Sequence, residues 1–174
     1  IDGSLGERIK AWIELAGWTG GMEANLPIFA GASPSACRAA VDSIIGSGVM
    51  RAGPYLVDGT VIEAAEARVL GAVDVGHSED SLRVAIPLSR IRAGLPGWAP
   101  SELADALIDS LCRIGTLERA EGGVRRAGFR PELTLDQHEA SERLYKLLAS
   151  EGLASPFTQE LPDDLLGRED FWPI

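Results

Sequence analysis

"VDSIIGSG", residues 41–48, returns as "IDSLCRIG" at residues 108–115. Aspartate, serine and the closing glycine coincide, and Val41, Ile44 and Ile45 stand where Ile108, Leu111 and Cys112 stand. Each phrase closes an apolar row at helical spacing: Cys37, Val41, Ile44 and Ile45 in the first copy, and Leu103, Leu107, Leu111 and Ile114 in the second. Gly48 and Gly115 follow as left-handed stops. A repeat of this length organises the whole chain, because each copy has an apolar stripe to bury against its neighbours.

Both stops run into β-prone stretches. After the first come "VMRAG" and "YLVDGTVI", in which Asp58-Gly59 between two alternating runs reads as a two-residue hairpin turn. After the second come "TLERA" and "VRRAG", joined through Glu121-Gly122-Gly123. Upstream, "LGERIKAWIELAG" puts Ile9, Trp12, Ile13 and Ala16 on one helical face, "LPIFAG" is a short helix, and Ser33-Pro34 offers an N-cap and a first-turn proline. The second copy has the same order. "EAAEARVLGAV" is the long helix, "IPLSRIRAGL" the short one between Pro87 and Gly94, and "WAPSELADALIDSL" the third.

Three helices followed by a two-stranded wing predict a winged-helix unit, a helix-turn-helix relative. The expected fold class is mainly α with small β-hairpins (α+β), in tandem winged-helix units over residues 1–62 and 63–130. Residues 131–174 read as the start of a third unit: "LTLDQHEASERLYKLLASEGL" echoes the opening helix, Ser155-Pro156 starts a short helix, and "GREDFWPI" starts what would be the next. Without a wing, Leu165, Leu166, Phe171 and Trp172 are expected to stay partly uncovered.

Composition bounds the function. A chain of 174 residues with 45% apolar content supports about two cores, and with no long apolar run and no signal peptide the expectation is a soluble, cytoplasmic protein with no membrane partner. Cys37 and Cys112 fall on inward helix faces of separate units and read as buried thiols. His77 and His138 lack metal-ligand spacing and read as surface or helix-end residues. Neither Lys10 nor Lys146 follows a glycine, which excludes a phosphate-binding GxxxxGK[ST] loop, and there is no GxSxG elbow. No catalytic residue, metal site or cofactor is expected in this segment.

Charge argues against a nucleic-acid coat. Sixteen basic residues against 26 acidic leave a formal net charge of −10, whereas phosphate binding rests on Lys and Arg. The third helix, which would enter a major groove, carries Glu102, Asp105 and Asp109 in the second unit and offers Ser35, Arg38, Ala39, Asp42 and Ser43 in the first. Positive charge gathers instead at Arg83, Arg90 and Arg92, and at Arg119, Arg125, Arg126 and Arg130 on and after the second wing. These last four are the candidate nucleic-acid contacts. A solvated edge strand blunted by arginines is the plainer account of them.

At residues 124–157, "VRRAGFRPELTLDQHEASERLYKLLASEGLASPF", the arginine-rich strand, the Phe-x-Pro-x-Leu junction at Phe129, Pro131 and Leu133, and the helix ending in Ser-Glu-Gly resemble the C-terminal extension of the bacterial selenocysteine-specific elongation factors (SelB). "LRVAIPLSRIRAGLP" with "LIDSLCRIGTLER" resembles the second winged helix of that extension, so the likeness spans nearly the whole chain. It implies a spacer. In that family a core binding GTP and selenocysteyl-tRNA carries four winged-helix units that reach an mRNA hairpin beside a recoded UGA codon, with the hairpin grip mainly in the last unit. The resemblance thus implies mRNA hairpin, tRNA and ribosome as partners of a full-length factor, and weak or no nucleic-acid binding by these units alone. Two other readings stay open: a tandem winged-helix DNA-binding transcription regulator, and a protein-binding winged-helix adaptor.

Overall fold

The computed structural model describes residues 3–151 together with 161, 162 and 165. Helix α1 (Leu5–Ala16) starts at a capping box, in which Ser4 accepts from the Glu7 N–H while the Glu7 carboxylate accepts from the Ser4 N–H. Ile9 and Ile13 face inward from it. Strand β1 (Gly21–Met22), helix α2 (Leu26–Ala30) and helix α3 (Pro34–Ile44) follow, the last capped by Ser33 accepting from the Ala36 N–H. The helix ends earlier than the repeat suggests. Gly46 (φ 81°) and Gly48 (φ 82°) are both left-handed, so the chain turns before Gly48 is reached. Arg113 takes the place of Gly46 in the second copy, and that helix continues to the turn at Gly115 (φ 77°).

Strands β2 (Val49–Ala52) and β3 (Tyr55–Asp58) pair antiparallel with Ala52 opposite Tyr55, so the hairpin turn is Gly53-Pro54. The Asp58-Gly59 turn is therefore a misreading. Gly53 sits at φ 57° ahead of a proline, which suits a tight hairpin loop. Asp58 instead caps helix α4 (Gly59–Glu79), its carboxylate accepting from the Thr60 N–H at 2.9 Å and the Thr60 hydroxyl at 2.7 Å. These bonds hold its pKa below the ordinary carboxylate value. Strand β1 pairs with β3, giving a three-stranded sheet in the order β1-β3-β2. The alternation reading missed β1, which is too short to show a period.

The second copy repeats this order. After α4 come helix α5 (Leu88–Ala93), helix α6 (Ser101–Arg113) and the β4 (Leu117–Ala120) and β5 (Gly123–Arg126) hairpin. Ile86 exchanges two backbone hydrogen bonds with Val124, taking the place that β1 holds in the first copy. Residues 62 and 63 both lie inside α4, so the chain passes from one copy to the next without a linker. Residues 127–134 then lead to helix α7 (Leu135–Glu151), opened by a reciprocal Thr134–Gln137 cap.

Two apolar cores result, and the first sheet lies between them. Val49 and Leu56 face the core of α1, α2 and α3, made by Ile9, Ile13, Leu26, Cys37, Val41 and Ile44. Ala52 and Val57, with half-buried Met50, face the opposite way into the core of α4 and α6, with Val61, Ala65, Val69, Leu103 and Leu107. Val57 comes from the first copy but does not join the first core. It belongs to the second, because successive residues of a strand point to opposite faces. Ile114 lies past the end of α6 and is 68% exposed; Ala104 and Ile108 complete the inward face instead. Leu165, expected to be uncovered, is buried; Leu166, Phe171, Trp172 and the Ser155-Pro156 start lie outside the described residues.

Candidate nucleic-acid interface

Three of the four candidate arginines are engaged by carboxylates. Arg119 meets Asp109 of α6 at 2.5 Å. Arg125 meets its cross-strand neighbour Glu118 at 2.5 Å. Arg126 forms a fork with both carboxylate oxygens of Asp74 on α4, at 2.7 and 2.6 Å. That bidentate geometry lowers the pKa of Asp74 and raises that of Arg126, hydrogen bonding being the main cause in each. Arg130 is exposed on the segment after the second hairpin, where it lines a shallow depression with Ser81, Gly128, Phe129 and Glu132. The four cations do not form one continuous basic surface, since Arg119 points to α6 and Arg126 to α4.

The same pairing runs around α5. Arg83 meets Asp80 at 3.2 Å, Arg90 meets Glu79, and Arg92 meets Asp105 at 2.7 Å. Asp105 and Asp109 thus each hold an arginine and remain partly exposed. At the start of the stripe, Glu102 lies against the first hairpin: a Cβ on Gly53 would come within 2.9 Å of its Cγ. Ala106, on the same helix, packs into the shared core. The outer face of α6 is therefore partly covered by the turn of the first hairpin. On α3 the outer residues Ser35, Arg38, Ala39, Asp42 and Ser43 are exposed, and Asp42 pairs with Arg51 at 3.3 Å.

His77 corrects the surface reading. It lies in the last turn of α4, only 7% exposed, stacked on Phe129 with ring centroids 3.7 Å apart, and neither ring nitrogen makes a hydrogen bond of ordinary geometry. Periodicity gave no warning, because Phe129 arrives from 52 residues downstream. Burial lowers its pKa, opposed by the Arg83 backbone and the Asp74 carboxylate. Cys37 is buried, Cys112 is half-buried, and both are free thiols. Among the described residues no three His, Cys, Asp or Glu side chains converge as a metal site would require, and no helix is long and apolar enough to cross a membrane.

No protein-family model matches the chain, and no curated protein sequence does.

Proposed function

We propose that the two repeated copies are winged-helix units acting as a non-catalytic spacer, the role of the corresponding units in the selenocysteine-specific elongation factors. The repeated order of helix, short pairing segment, two helices and hairpin supports the fold. The observation that carries the spacer role is the placement of the first sheet. With Val49 and Leu56 in one core and Ala52 and Val57 in the other, neither unit can swing without exposing apolar surface. The same docking sets the Gly53 turn against Glu102, which removes part of α6 from any groove. That disfavours the transcription-regulator reading, in which this helix would be free to read bases.

On this reading the full-length factor would bring GTP, selenocysteyl-tRNA, the ribosome and the mRNA hairpin into play through other domains, in the cytoplasm. These units would fix the distance between core and tip. The test is a titration of the purified chain with a fluorescent selenocysteine-insertion hairpin and with a random DNA duplex, at two salt concentrations. The expected affinity for either is no tighter than about 10⁻⁵ M near physiological salt, in the non-specific range. Arg130→Glu should remove more of the residual binding than Arg119→Glu, since Arg119 is already neutralised by Asp109. Nanomolar, sequence-selective duplex binding would support a regulator, and nanomolar hairpin binding would overturn the passive role.

A further inference from the structure

Helix α1 presents two rows of side chains. Ile9 and Ile13 enter the first core. Beside them Arg8, Ala11, Trp12 and Leu15, at i, i+3, i+4 and i+7, form a second row. With Phe29 and Ala30 of α2 this row lines a cleft of about 370 Å³. Trp12 tilts against Phe29 with ring centroids 5.2 Å apart. Leu15 and, beside Phe29, Ile28 stand 86% and 87% exposed, and Phe29 itself 50%. Single exposed apolar residues are ordinary, but several gathered at a cleft mark a contact surface. The short helix of the second copy, α5, turns Ser89, Arg92 and Ala93 to solvent instead, so the patch is not a requirement of the repeated fold.

Charge identifies what the cleft lacks. Arg51, Arg83, Arg90, Arg92, Arg119, Arg125 and Arg126 each meet a carboxylate. Among the described residues Arg8, on the cleft wall, meets none, as is also true of Arg38, Arg68, Arg113 and Arg130, but the Arg8 Nε is buried without a hydrogen-bond partner. A buried donor left unsatisfied is costly, and a carboxylate is the group whose geometry matches a guanidinium fork. We propose that this cleft docks an amphipathic helix of another protein, which places apolar side chains against Trp12, Leu15 and Phe29 and a carboxylate on Arg8. A row spaced i, i+3, i+4, i+7 is what a partner helix matches. A second copy of the chain is the weaker fit, because a two-fold contact sets this patch on its own copy and the cleft lining holds no carboxylate for Arg8.

Two designed helical peptides of about 16 residues, long enough to hold a helix, test the assignment. Both carry one Leu-Leu-Phe row, flanked by glutamates in one peptide and by lysines in the other. In heteronuclear NMR titrations of the whole chain, the glutamate peptide should shift the Leu15, Ile28 and Phe29 signals saturably. It should bind about tenfold or more tightly than the lysine peptide, as a charge-assisted pair requires. Arg8→Gln should abolish that preference while leaving the amide spectrum folded, and Leu15→Ser with Ile28→Ser should weaken both peptides. Equal binding of the two peptides, an unchanged preference in Arg8→Gln, or shifts elsewhere on the molecule would overturn the proposal. So would sedimentation showing a dimer that Ile28→Ser dissolves, since the occupant would then be a second copy.

Discussion

His77 and Gly123 are each constrained by a segment distant in sequence. His77 is stacked on Phe129 with its pKa lowered by burial. The folded state therefore favours the neutral ring, while the unfolded chain takes up a proton as pH falls through its ordinary value near 6.5. Stability from this group is complete above that pH and declines below it. Urea unfolding at pH 7.5 and 5.5 should show a larger loss for the native chain than for His77→Leu; equal losses would count against the buried neutral ring. Gly123 faces a different limit. A Cβ there would lie 2.0 Å from the Ile86 carbonyl oxygen and 3.1 Å from the Pro87 Cα, both backbone. Gly123→Ala must push the Ile86 bridge away from β5, and thermal or denaturant unfolding should show a loss of about 1–3 kcal/mol.

At the scale of elements, amphipathic spacing was a dependable guide where a helix has one core face. On α6, Leu103, Leu107 and Leu111 are buried as their spacing requires. Leu107→Ala should cost about 2–5 kcal/mol by denaturant titration, because a large aliphatic side chain is lost from a packed core. A loss under about 0.5 kcal/mol would mean the face is wrongly assigned. The hairpins show where local signals are ambiguous. Asp-Gly is both a favoured hairpin turn and a helix start, since an aspartate caps a helix with the same carboxylate that bends a turn. The Ala52–Tyr55 register, which no residue at positions 58–59 reports, decides for the helix.

At the scale of the molecule, the two cores share one sheet, so they should unfold together. Among the described residues, none of helix α7 belongs to either core: Ala140 is buried, but Leu135 and Tyr145 are 77% and 74% exposed. The repeat explains why. Val57, which packs the first hairpin on the core of α4, has Arg125 as its counterpart in the second hairpin, the pairs Val49–Asp58 and Leu117–Arg126 setting the register. Arg125 is bound to Glu118 and offers the next segment no apolar face. Hydrogen exchange should therefore protect α3, α4 and α6 to a similar degree, with α7 opening at much lower free energy. Protection of α7 equal to that of α6 would contradict this arrangement.

The sequence by itself determined the repeated order of elements, the inward residues of most helices and the excess of carboxylates, because spacing, caps and charge are local properties. It also located the arginines of the second hairpin. What those arginines do was decided only by the fold, which brings Asp74 to Arg126 across 52 residues, Asp109 to Arg119 and Glu118 to Arg125. The two-sided burial of the first sheet, the cover over His77 and the cleft around Arg8 were likewise illegible in the sequence. Each depends on which distant surface packs against a residue, and a period of two or 3.6 residues specifies which way a side chain points but not what it meets.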